Sequence, residues 1–346
     1  MVSRTRLVGC MSVVAVLVLF AVPSAFSVQD PEQKMDSIVK KNIELLKDKK
    51  HEHDAVVTLV SMKERAVPHL MELARDPKEK VSDRLLAIQI IGDIKGTMAI
   101  DCLLEGLKDS NAKMRRASAR ALGSIADKKS IEGLKEALND FDAETRFLAA
   151  RALSAIKDAS LSDVFLKLLD DSDVRIKLAA IYGLGDIKET RAVEKLSTMV
   201  EDHNDDVRLA LAISLGRIGS KTAIPALNRL LEDRNANVRR EALTALGKVG
   251  DPSSIPYLIK VAERDTRPLR YSATISLGDI GTEEVVPTLK KLLKDEVIDI
   301  RIAAIKSLTK MGRVEFIGDF EALLKDESTK VRKAAEEALI ELKKGK

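Results

Sequence analysis

The sequence predicts an all-α solenoid, a short helix-turn-helix unit stacked in series. Three observations predict it. A basic residue recurs every 31 positions, the columns around it are apolar at helical spacing, and 7 Phe, 3 Tyr and no Trp are the only aromatic residues among 346. With so few rings, Leu, Ile, Val and Ala must fill the core, which favours many thin helical layers over one thick centre. An apolar share of 45% with 32% charged residues belongs to a folded chain rather than a disordered one. Four His and two Cys leave few ligands for zinc, iron-sulfur or nucleophile-base chemistry.

Residues 1–27 carry Arg4 and Arg6, an apolar stretch from Leu7 to Val22, then Pro23 and the small-residue pattern Ala25-Phe26-Ser27. This is the pattern of a secretory signal peptide cleaved after Ser27. The apolar stretch falls short of the roughly 20 residues that span a bilayer comfortably, so an uncleaved anchor is the second choice. Leu7-Val8-Gly9-Cys10 matches a lipobox by chance, because the apolar stretch runs on past the cysteine. Cleavage would remove two of the 58 basic residues and none of the 54 acids, leaving a net charge of +2. That balance lacks the global positive charge expected of a nucleic-acid binder. It also leaves Cys102 as a single thiol, which cannot form an internal disulfide and is best explained as a small packing residue.

The repeat is anchored by Arg84, Arg115, Arg146, Lys177, Arg208, Arg239, Arg270, Arg301 and Arg332. Seven positions after each of these the chain is always apolar, from Ile91 and Leu122 to Leu339, and three further on it is apolar again. The third position is mostly Ala, as at Ala87, Ala149 and Ala180. Apolar residues at positions 3, 7 and 10 mark one face of a helix. Four before the basic residue stand Asn111, Asp142, Asp173, Asn204, Asn235, Thr266 and Ser328, which supply the N-cap of this second helix. A first helix precedes it, centred on Leu103, Leu134, Phe165, Leu196, Leu227, Leu258, Leu289 and Phe320, with Pro225, Pro256 and Pro287 in its first turn. Residues 28–63 repeat the pattern loosely and form a degenerate N-terminal cap, and residues 64–346 hold the in-register repeats. Val67-Pro68-His69-Leu70 opens a helix two residues too far from Arg84, which predicts a short insertion near Asp76-Pro77. The last helix carries Glu336, Glu337 and Glu341 at positions suited to a terminal unit facing water.

The pattern Asp-x-x-x-x-Val-Arg followed by Ala and Leu-Gly-x-Ile, as in 202–218 and 233–249, resembles HEAT repeats of the short, phycobilisome lyase-like kind. The resemblance covers roughly residues 64–346. It implies a right-handed superhelix of about nine to ten units whose second helices line the concave side. Ankyrin and tetratricopeptide arrays have similar periods, but their signature residues are absent.

Six before the basic residue an acid recurs, at Asp109, Asp140, Asp171, Asp202, Asp233, Asp295 and Asp326. Such regularity fits a structural ladder in which each Asp ends a first helix and pairs with an arginine of its own or an adjacent unit; a catalytic carboxylate would depart from the pattern. Gly92, Gly123, Gly185, Gly216, Gly247 and Gly278 recur likewise, as packing or bending positions rather than a phosphate loop. His51-Glu52 is a lone pair near a turn with no counterpart downstream, so no metal site is expected there or at His53, His69 or His203.

Positions 1 and 5 after the basic residue fall roughly opposite the buried stripe on a wheel of about 100° per residue and should be wet. Yet position 1 holds Leu85, Phe147, Leu178, Leu209, Tyr271 and Ile302, and position 5 holds Tyr182, Ile213 and Ile275. On the concave side that the resemblance implies, Phe147, Leu178, Tyr182, Leu209 and Ile213 would form one apolar patch, continued by Tyr271, Ile275 and Ile302. Arg116, Arg120 and Arg151 border one end, and Arg240 interrupts the strip. A patch of this kind suits a peptide or helix carrying acidic residues. The competing expectation is that neighbouring second helices bury Phe147, Tyr182 and Ile213 between units.

These observations point to an exported, non-catalytic scaffold, secreted or periplasmic in a bacterial envelope, that holds a protein or peptide partner in the groove. No cofactor, nucleic acid or stable membrane insertion is expected. The resemblance also implies an alternative, a bilin lyase-like enzyme handling a chromophore on a partner protein, although no nucleophile or acid-base pair departs from the repeat. A DNA-binding role like that of the helical-repeat alkylpurine glycosylases would need a strongly basic face, and Arg116, Arg120 and Arg151 are the only cluster.

Overall fold

The computed structural model describes residues 31–344; the proposed signal segment lies outside them. Among the described residues there are twenty α-helices, in ten consecutive pairs, and no strand. The first pairs are α1 (Pro31–Leu45) with α2 (Glu52–Met62) and α3 (Val67–Arg75) with α4 (Val81–Ile94). Next come α5 (Ile100–Gly106) with α6 (Ala112–Ile125), α7 (Ile131–Ala137) with α8 (Ala143–Ile156), and α9 (Ser162–Leu168) with α10 (Val174–Asp186). Then follow α11 (Val193–Thr198) with α12 (Asp205–Ile218) and α13 (Ile224–Leu230) with α14 (Ala236–Val249). The last three are α15 (Ile255–Arg264) with α16 (Arg267–Ile280), α17 (Val286–Leu292) with α18 (Ile298–Lys310), and α19 (Ile317–Leu323) with α20 (Thr329–Lys344).

Side-chain chemistry fixes where each second helix starts. Asn111, Asp142, Asp173, Asn204 and Asn235 each accept a backbone N–H of the first turn, answering donors the helix itself leaves unpaired. Thr266 occupies the same place but accepts no such bond; Pro268 in the first turn of α16 removes one of the donors. From α5 onward a three-residue 3-10 turn leads into every first helix, and Asp127, Asp158, Glu189, Ser220 and Asp251 cap five of them. The register slip ahead of Arg84 takes a different form from the expected insertion in the turn. The two extra residues lengthen α3 to nine residues against seven in α5.

Positions 3 and 7 of the apolar stripe are buried in every unit and position 10 is buried or half-buried; Leu122, Leu153, Leu184, Leu215, Leu246, Leu277 and Leu308 have no exposed surface. Neighbouring second helices approach closely because glycine meets a small residue at the contact. A Cβ on Gly216 would lie 2.7 Å from Ala245 Cβ, and one on Gly185 2.8 Å from Ser214 Cβ. Between α8 and α10 the two roles are exchanged, with Ser154 in the glycine column and Gly183 in the small-residue column of the next unit.

An arginine-aspartate ladder stitches successive units together. Arg115 Nε donates to Asp140 of the following unit at 2.7 Å while its Nη1 donates to the Asp109 carbonyl of its own unit at 3.0 Å. The same two-way grip recurs at Arg208, whose Nε lies 2.6 Å from Asp233 Oδ2 with side-chain exposures of 6% and 5%, and again at Arg301 with Asp326. Burial alone would raise the Asp233 pKa, but the Arg208 guanidinium and the Asn235 N–H outweigh it and hold the carboxylate below its ordinary range. Where the turn aspartate is missing, as before Arg84 and Arg270, the arginine Nε donates instead to a carbonyl of the first helix, Ala74 or Ala262.

Each second helix packs on the second helix of the next unit, whereas the first helices make their main contacts with the second helix of their own unit. The layer with the closer spacing forms the inner arc. The second helices therefore line the concave side, and the molecule is an α-solenoid.

Candidate partner-binding groove

The strip at positions 1 and 5 lies along this inner arc, and its residues differ in how open they are. Phe147, Leu178, Tyr182, Leu209, Ile213, Ile275 and Ile302 are half-buried, and Tyr271 is exposed at 38%. Leu178 and Leu209 pack down against the core. The strip is thus neither sealed between units nor a bare face. Each side chain shares its surface between the inter-unit seam and the groove.

Cations cover part of it. The Arg175 guanidinium stands 4.6 Å from the centroid of the Phe147 ring and that of Arg151 stands 5.6 Å away, both at cation–π range. Arg175 is held in place by Asp173 and by Glu144, the latter at 2.7 Å. Arg217 lies 5.9 Å from the Tyr182 ring and is tied to Asp186 at 2.7 Å. Burial raises the Tyr182 phenol pKa, with Arg217 pulling the other way, so the hydroxyl stays protonated at neutral pH.

The expected arginine border divides into two kinds. Arg116 is committed to the N-cap carboxylate Asp142 of the next unit, which it holds well below the usual carboxylate range. It offers little to a ligand. Arg120 and Arg151 are exposed and carry no carboxylate partner among the described residues, so these two remain for an acidic group. Arg240 is also exposed, 3.8 Å from Glu241.

Near this end of the groove lies a cleft of ≈ 520 Å³, walled by the α1–α2 turn, α4 and α6, with Leu85 and Leu86 among its lining. Sequence reasoning missed it because its walls come from three units, one of them outside the 31-residue register. It also missed Phe141, fully exposed in the turn between α7 and α8. The signal was available: Ser110, Ser172, His203 and Arg234 occupy that column in neighbouring units.

His51 Nδ1 lies 2.7 Å from Asp48, His69 Nε2 lies 2.5 Å from Asp36, and His203 is solvent-exposed beside Asp202. Among the described residues no group of three or more His, Cys, Asp or Glu is placed to hold a metal ion. Cys102 is a buried free thiol whose pKa is raised by burial, which disfavours the reactive thiolate. No described helix is long and apolar enough to cross a membrane.

The HEAT-repeat family model matches residues 67–146, 131–214, 197–278 and 265–340, and the chain belongs to that family. Among solved structures it is similar to an engineered protein, with 20% identity, a TM-score of 0.51, and coverage of 88% of this chain and 99% of the other. It is also similar to Escherichia coli YibA, with 20% identity, a TM-score of 0.53, and coverage of 76% and 97%. Human deoxyhypusine hydroxylase, solved in complex with glycerol, aligns at 21% identity over 72% and 97% of the two chains with a TM-score of 0.35. No curated protein matches the chain.

Proposed function

We propose that the chain is an exported, non-catalytic scaffold that holds a protein or peptide partner along its concave groove. HEAT-repeat solenoids commonly mediate protein–protein interaction. One observation carries the reading for this chain. Tyr182, Leu209, Ile213, Tyr271 and Ile275 line the inner arc with apolar surface that the seam between units covers only in part. Contact with a partner would finish that burial, at roughly 25 cal/mol for each Å² removed from water. Arg120 and Arg151 at one end favour acidic residues in the partner. The Arg4, Arg6 and Leu7–Val22 pattern supports export to a bacterial periplasm or beyond.

Photo-crosslinking amino acids placed at Ile213 and Tyr271 on the concave side, and at exposed Glu194 on first helix α11 as control, test the reading in cells. The expected result is one shared adduct from both concave positions and none from Glu194. An adduct from Glu194 alone would place the binding face on the convex side instead.

A further inference from the structure

The arginine-aspartate ladder is broken at one rung. Every basic ladder residue that has a unit after it finds an aspartate 25 positions on, from Asp109 to Asp326, except Arg239, which finds Arg264. Arg239 is nonetheless set as its neighbours are. Its Nη1 donates to the Asp233 carbonyl at 2.6 Å and to the Arg234 carbonyl at 3.2 Å, as Arg115 and Arg301 do to the carbonyls of their own turns. In Arg115 that grip leaves the Nε–Nη2 edge to the next unit, where Asp140 accepts both donors at 2.7 and 2.9 Å, and in Arg208 the same edge takes Asp233 at 2.6 and 3.1 Å. The corresponding edge of half-buried Arg239 has no carboxylate partner among the described residues.

No acid of the chain stands in for the missing one. Asp265 Oδ1 accepts the Thr266 N–H at 2.6 Å and pairs with no arginine, Glu263 lies 2.7 Å from Lys291, and Glu232 lies 4.0 Å from Lys260. Arg264 itself is exposed and makes no ion pair among the described residues. The charge at this rung is thus reversed rather than lost. An uncharged residue would leave a gap, whereas Arg264 adds a second fork of donors suited to a planar carboxylate. Two guanidinium groups facing one seam repel until an anion joins them. A cleft of ≈ 220 Å³ opens beside Arg264, with Leu231, Tyr257 and Val261 on its walls, and gives room for the few carbon atoms that carry a carboxylate.

We propose that this broken rung is a carboxylate-binding site, in which Arg239 and Arg264 clamp a carboxylate from outside the chain in the place that the ladder aspartate fills elsewhere. The carboxylate is that of a small organic acid or of an Asp or Glu side chain on another protein. Seated there, it restores the stitch between α14 and the unit of α15 and α16. The site lies on the turn edge and uses no residue of the strip from Tyr182 to Ile275, so it stands apart from the partner-binding reading.

NMR of the full chain carrying isotope-labelled arginine tests it, with the Arg239 Nε–H signal assigned by its loss in Arg239→Lys. Acetate supplies the free carboxylate and acetyl-Gly-Glu-Gly-amide the side-chain form, against chloride and phosphate at matched ionic strength. The signal should shift to saturation with a carboxylate and stay in place with chloride. Tighter saturation by the peptide assigns the site to a protein side chain, and equal or tighter saturation by acetate assigns it to a small acid. Arg264→Asp supplies the carboxylate from within, so it should move the signal toward its saturated position and abolish the response. Arg264→Gln removes one fork and should weaken binding about tenfold or more. Position 264 is exposed, so helix content by circular dichroism should not change in either variant. A carboxylate response no larger than that to chloride overturns the proposal. So does a response to phosphate alone, or an Arg264→Asp chain that responds as wild type does.

Discussion

One backbone position shows how single residues set this molecule's stability. At offset 11 of each unit, just past the second helix, the chain takes the left-handed conformation at Lys95, Ala126, Lys157, Lys188, Gly219, Gly250, Gly281 and Gly312. The first four carry a Cβ that this conformation tolerates poorly; the last four do not. In urea unfolding, Lys157→Gly should therefore raise the stability by up to about 1 kcal/mol, while Gly219→Ala lowers it by about 1 kcal/mol. No atom lies within 4 Å of the Cβ that Gly219→Ala adds, so its cost is conformational alone. A loss in Lys157→Gly, or no loss in Gly219→Ala, would contradict this. A second residue-scale outcome concerns acid. Glu189 caps the 3-10 turn before α11, and bonds from Arg191 first and Ser162 next lower its pKa from 4.5 to about 2. A carboxylate depressed in the folded state contributes stability that is complete above its ordinary value and fades as pH falls toward the folded one. The contribution of Glu189 should thus disappear between pH 4.5 and about 2, and Glu189→Gln should flatten the stability curve in that window alone.

At the scale of the helix pair, the contact between second helices is a matter of ångströms. A Cβ on Gly278 would sit 2.4 Å from Ser307 Cβ and 2.8 Å from its Cα, whereas one on Gly123 would sit 3.1 Å from Ala152 Cα. Alanine gains about 1 kcal/mol over glycine in helix propensity, and overpacking costs about 1–3 kcal/mol. The steric term should win in Gly278→Ala, lowering stability by about 1–2 kcal/mol, and roughly cancel in Gly123→Ala. Thermal or urea melts of the pair check this; an equal effect at both sites would mean that α16 and α18 separate freely. Helices of this kind were legible in the sequence because their stripes, caps and first-turn prolines are periodic signals. The 3-10 turns were not, since three residues carry no period. Nor could sequence separate Arg116 from Arg120, since only the folded pair α6 and α8 brings Asp142 within reach of the first. The covering of Phe147 by Arg175 was hidden for the same reason, the two residues lying on successive second helices.

Across the whole molecule, curvature turns a local repeat into a site. The 31-residue period, the N-cap column and the small-residue columns together specify a stack whose second helices pack more closely than the first, and from that spacing follows a concave face. The apolar strip on that face was legible as a violation of the polar pattern. Its depth was not, because partial burial depends on how far neighbouring helices approach. The same geometry sets Tyr182, Ile213 and Ile275 one above another along the arc, half-buried and partly open. The most direct test of the central claim is an in-cell cross-linking pull-down that compares the native chain with a Tyr182→Arg, Ile213→Arg, Ile275→Arg variant of unchanged helix content. The native chain should capture a defined partner that the folded variant loses. The same partner captured equally by both would show that the concave strip is not where the protein binds.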